Sequence, residues 1–140
     1  MSQENVELHR RLVEAFNARD LVAFLKYCHP SIEFHSTIAA ADGVVYLGHD
    51  GLRAWHRDLQ ETWSDLRAEP EAYFDLGHRT LTFNVWKGRG RHSGATVAMP
   101  VAQIARWRDG LIVHFRGYVH REDAMEELGV NEESLQRIAP

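Results

Sequence analysis

The chain has 140 residues, 16 Lys and Arg against 20 Asp and Glu, and a formal net charge of −4. That balance lacks the positive excess a phosphate backbone needs for counterion release, so nucleic acid is not an expected partner. One cysteine, Cys28, excludes an intrachain disulfide, and no apolar run approaches the ~20 residues of a membrane span. Together these predict a cytoplasmic, single-domain protein over residues 1–140, with no membrane contact.

In chain order, Val6, His9, Leu12, Val13 and Phe16 recur at three- and four-residue steps and predict a helix over Asn5 to Asn17. Asp20 offers an N-cap for a second helix carrying Leu21, Phe24, Leu25 and Cys28, which Pro30 ends. Period-two alternation of Ile32, Phe34 and Ser36 with Glu33, His35 and Thr37 predicts a strand of about six residues. A loop from Ala39 and a short Val44-Val45-Tyr46 segment lead to a third helix, with Asp50 as cap and Leu52, Trp55, His56, Leu59 and Trp63 as its apolar face.

Beyond Trp63 the pattern is a meander of four strands, with turns expected at Asp75–His78, Lys87–Gly90 and Asp109-Gly110. Arg121 to Leu128 reads as a closing helix, and residues 130–140 as a polar tail outside a core of about 5–129. Segregated helices followed by a meander indicate an α+β domain.

Several segments resemble the SnoaL-like branch of the nuclear-transport-factor-like superfamily: Glu4 to Leu8 with Ala15 to Leu21, Ile32-Glu33-Phe34-His35, Gly48 to Leu52, and Arg108 to Ile112. The resemblance implies a cone-shaped α+β barrel, a strongly curved mixed or antiparallel sheet wrapped around N-terminal helices with an internal pocket. Polyketide cyclases, ketosteroid isomerases, limonene epoxide hydrolases and scytalone dehydratases belong to that superfamily, beside proteins that only bind. Against ketosteroid isomerase, Leu12 stands where a helical oxyanion-hole tyrosine would fall, Gln103 near a protonated aspartic acid, and His35 or Ser36 near the general base. The missing donors argue against the same reaction.

His35 can accept a proton at neutral pH, but alternation opposite Ile32 and Phe34 turns it outward unless the strand bulges. On the last strand Ile112, His114, Arg116, Tyr118 and His120 share one face and Val113, Phe115, Gly117 and Val119 the other. Tyr118 and His120 join His35 as catalytic candidates because the resemblance implies acid, base or orienting groups near that strand end. Gln103 is the polar residue in an apolar row, so it either binds a ligand or satisfies a bend in the backbone. Asn84 and Trp86 share a face beside it, and His9, Phe16, Trp55 and Trp63 complete the candidate substrate-binding set. No metal is expected, because the same-face pair His114 and His120 would lie about 20 Å apart along the strand.

These residues predict a cofactor-independent acid–base enzyme of isomerase, cyclase, dehydratase or epoxide-hydrolase type, acting on a small apolar molecule with a carbonyl or epoxide. The alternative is a non-catalytic ligand-binding or association module of the same fold. A homodimer through the outer sheet face is expected, since rows such as Leu81, Phe83 and Val85 need cover.

Overall fold

The apolar stripe of the first segment forms α1 (Glu4–Asn17), which buries Val6, His9, Leu12 and Val13 and half-buries Phe16. The structure is a computed structural model that describes residues 3–37 and 44–140. The chain reverses through Arg19, at a φ of 56°, and Asp20 caps α2 (Leu21–Leu25) by accepting the Ala23 N–H at 3.0 Å. α2 ends well before Pro30, because the chain has already entered β1 (Cys28–His35). Cys28 is therefore a strand residue, and burial pushes its thiol up to about 12.

The loop expected from Ala39 falls largely outside the described residues. After it come β2 (Val45–Leu47) and α3 (Gly48–Thr62). Leu47 holds the cap position of α3, and Asp50, the expected cap, sits in the first turn, where Arg53 donates to it at 2.6 Å. Trp63 has left the helix and opens β3 (Trp63–Asp75).

β4 (Arg79–Gly90), β5 (Thr96–Arg108) and β6 (Leu111–Tyr118) complete a six-stranded sheet in the order β2-β1-β6-β5-β4-β3. Every ladder is antiparallel except β1 with β6. The domain is α+β with an open, curved sheet, as the alternation and the segregated helices imply. Asp109 and Gly110, at φ 52° and 78°, form the expected hairpin with both central residues at positive φ. Lys87–Gly90, expected as a turn, continues β4 instead, and the reversal follows at residues 91–95.

A register shift opposite Arg106 and Trp107 makes Val113 an extra residue in β6, so Ile112 joins Phe115 on the inner face rather than His114 on the outer one. The inner face packs on α1 to α3 and holds the larger core. Ala72, Phe74, Leu81, Phe83, Ala102 and Ile104 form a second core on the outer face, under α4 (Arg121–Leu128). The tail is not merely polar: Val130 and Leu135 pack on this second core, and Ile138 exchanges backbone hydrogen bonds with Tyr73 at 2.8 and 2.9 Å. Leu81 and Phe83, the rows that called for a dimer, are thus covered within the chain.

Arg121 fastens α4 to the sheet. It donates to the carbonyls of Val101 (3.2 Å) and Asn84 (3.0 Å) and to Glu71 (2.6 Å), and lies 4.5 Å from the centre of the Phe83 ring. Truncating it removes three hydrogen bonds and uncovers the outer core, so Arg121→Ala should cost about 2 kcal/mol in urea unfolding. A loss below about 0.5 kcal/mol would show that α4 is held by its apolar face alone.

Candidate functional site

The helices and the inner sheet face line a small cavity of ≈ 40 Å³. α1 reaches it with His9, Leu12, Val13 and Phe16. Two hydrogen bonds set this helix against the sheet: Asn17 donates to the Ala68 carbonyl and accepts the Ala68 N–H, each at 2.8 Å. Phe16 then lies between Trp55 and Trp86, with ring centres 5.9 and 5.5 Å away. Phe34 stacks on Phe115 at 4.7 Å and meets Trp55 at 4.6 Å, which closes the aromatic wall.

One polar row crosses this wall. β4 and β5 alternate, so Thr82 and Asn84 face inward beside Gln103. Asn84 Nδ2 donates to Gln103 Oε1, Gln103 Nε2 donates to Thr37 Oγ1 at 3.2 Å, and Thr82 Oγ1 donates to the Ala72 carbonyl at 3.1 Å. Asn84, Gln103 and Thr37 line the cavity and are almost fully buried. Trp86 differs from them. Its indole Nε1 is buried with no acceptor, the one such donor on the cavity wall among the described residues.

Among the described residues His9 is the only one lining the cavity with an imidazole, carboxyl, thiol, amine or phenol. Its Nδ1 lies 2.8 Å from Thr80 Oγ1, which also accepts the Trp107 indole N–H at 2.9 Å. Burial pushes His9 down to about 3, so at neutral pH it is a neutral imidazole and a poor base.

The structure therefore brings together Gln103, Trp86, Asn84, His9, Phe16 and Trp55. It adds Thr37, Phe24, Phe34 and Phe115, which sequence reading did not assign to the site. Trp63 is elsewhere: it walls a neighbouring crevice with Arg19, His56 and Gln60. The three catalytic candidates also lie outside the cavity. With Ile32 and Phe34 in the core, His35 faces the outer side, and the shift in β1 pairing falls before Glu33, too early to turn it inward. Tyr118 packs under α4, where burial pushes its phenol up, and His120 is exposed at the N-cap of α4.

On the outer face the expectation of no metal rested on comparing His114 with His120 along one strand. Its partners lie across the parallel ladder. Glu33 is directly opposite His114, and Glu33 Oε2 is 2.7 Å from His35 Nε2 and 3.3 Å from His114 Nε2. The three side chains present ligand atoms within 4.8 Å of one another, in a groove also lined by Arg79, Arg106 and Arg116. The two imidazoles hold the Glu33 carboxyl below the usual range, while desolvation lowers His114 despite Glu33.

A SnoaL-like domain model matches residues 9–115, which spans the cavity from His9 to Phe115. The chain belongs to the SnoaL-like family. Solved structures share the fold at low identity. A nuclear-transport-factor-like protein of unknown function from Burkholderia pseudomallei is 21% identical, with 90% of this chain and 97% of that one covered and a TM-score of 0.77. A proposed polyketide cyclase from Xanthomonas campestris is 17% identical over 91% and 98%, with a TM-score of 0.75. TerC, co-crystallised with polyporic acid, is 21% identical over 87% and 95%, with a TM-score of 0.74. No curated protein sequence matches the chain significantly. Among the described residues no helix is long and apolar enough to cross a membrane.

Proposed function

We propose that this SnoaL-like protein binds a small, largely apolar molecule carrying a carbonyl or similar oxygen in its internal cavity. The orphan indole N–H of Trp86 on an otherwise aromatic wall carries this reading. A buried donor left unpaired costs about 1–3 kcal/mol, and a ligand oxygen would recover it. Asn84 and Gln103 add further N–H groups and neutral His9 a polar ring edge, while the rings supply shape and a low dielectric. The small free volume requires the rings to move apart as a ligand enters. TerC, which shares this fold and was co-crystallised with polyporic acid, fits a small-molecule role for this architecture.

A catalytic version, of isomerase or cyclase type, is favoured by the fold shared with a proposed polyketide cyclase. With no carboxylate on the wall among the described residues and His9 held neutral, such a reaction would run on polarisation of a substrate oxygen rather than on a strong base.

The test compares acetophenone with ethylbenzene, which differ in the carbonyl, by isothermal titration calorimetry. The protein should prefer acetophenone, and Trp86→Phe should lower that preference about five- to tenfold, in line with one buried hydrogen bond. His35→Ala and His120→Ala should leave it unchanged. A preference that survives Trp86→Phe, or none in the wild type, would overturn the assignment.

A further inference from the structure

We propose that Glu33, His35 and His114 bind a divalent transition-metal ion of the zinc class on the outer sheet face. Two imidazoles and one carboxylate are a donor set suited to zinc and its neighbours, and a single carboxylate is too few oxygen ligands for calcium. Rigid backbone sets the triad: Glu33 and His35 alternate on β1, and the parallel ladder with β6 puts His114 opposite Glu33.

Ligand atoms around a tetrahedral zinc with bonds of ~2.0–2.1 Å sit roughly 3.4 Å apart. Glu33 and His114 are already at 3.3 Å, and Glu33 and His35 at 2.7 Å. His35 must retreat by less than about 1 Å, a rotation open to a half-exposed side chain. Both imidazoles converge on the same oxygen, Oε2 of Glu33, so the triad is held close to the shape an ion would need.

Arg79, Arg106 and Arg116 line the same groove and oppose a cation. Arg116 is drawn aside over the Tyr118 ring, 4.9 Å from its centre. A dication with one carboxylate keeps a net positive charge; Arg106 and Arg116 are exposed and screened by solvent, and half-buried Arg79 opposes the ion more, so the repulsion weakens binding without abolishing it.

Equilibrium dialysis against zinc chloride, with the visible absorption of bound Co²⁺ as a second readout, tests the site. One ion per chain is expected, at a Kd of about 1–10 µM. Glu33→Ala and His114→Ala should each weaken binding more than about tenfold, with unchanged circular dichroism, whereas His92→Ala on the β4–β5 hairpin should not. Wild-type affinity weaker than about 100 µM, or equal affinity in the Glu33 and His114 variants, would overturn the proposal.

Discussion

Gly117→Ala should destabilise the protein by roughly 2–4 kcal/mol, more than the loss of any single surface contact. Gly117 lies opposite Gln103 in the β5–β6 ladder, and a Cβ built on it would stand 1.8 Å from Thr37 Oγ1 and 2.6 Å from Thr37 Cα. The backbone conformation is ordinary, so the demand is for space. Thr37 can cross β6 and accept from Gln103 only because Gly117 carries no side chain there. One methyl would push a backbone atom, which costs about 1–3 kcal/mol, and would break the buried Thr37–Gln103 bond for about 1 more. Gly88 offers the contrast. The nearest atom to its virtual Cβ is the far end of Leu66, at 2.9 Å, so Gly88→Ala should be milder. Urea unfolding of both variants decides the matter. A Gly117→Ala loss no larger than that of Gly88→Ala would mean that Thr37 is not held by this close approach.

Elements with a local cause were legible in the sequence. The α1 stripe, the Asp20 cap, the Asp109-Gly110 hairpin and the span of α4 each depend on residues a few positions apart. Period-two alternation also put Asn84 and Trp86 on one face of their strand and made Gln103 the polar residue of its own row, and all three line the cavity. His35 was legible too: once Ile32 and Phe34 face the core, its outward turn follows.

Features created by pairing between distant segments were not legible. The extra residue at Val113 moves Ile112 to the inner face, and only the partner strand reveals it. The parallel contact of β1 with β6, which makes neighbours of Glu33 and His114, spans most of the chain. Val130, Leu135 and Ile138 looked like scattered apolar residues in a polar tail, because nothing nearby in sequence announces the face they cover. The orphan Trp86 N–H has the same origin, since its lack of an acceptor is a property of the surrounding wall.

Between pH 7.5 and 5 the protein should lose about 2 kcal/mol of stability through His9 alone. His9 titrates at about 3 when folded, against 6.5 for the free side chain, because burial penalises the imidazolium. Its fixed neighbours, Thr80, Tyr73, Trp107 and Phe115, supply no negative charge to offset that penalty. Below pH 6.5 the unfolded chain takes up a proton that the native protein refuses, so the unfolded state binds more protons and stability falls with pH. The contribution is fully present above pH 6.5 and is lost on the way down to pH 3, a span worth roughly 4–5 kcal/mol in all. His56 and His114 are also lowered and act in the same direction, but both are partly solvated. Comparing the wild type with His9→Gln cancels them, since glutamine can still hydrogen-bond Thr80 and does not titrate. Urea unfolding at pH 7.5, 6 and 5 should give His9→Gln the flatter profile, with the gap between the two proteins narrowing by about 2 kcal/mol. Parallel profiles would mean that the native fold lets His9 take up a proton near its ordinary pKa, and below about pH 6.5 the cavity would then present an imidazolium to its ligand instead of a neutral ring.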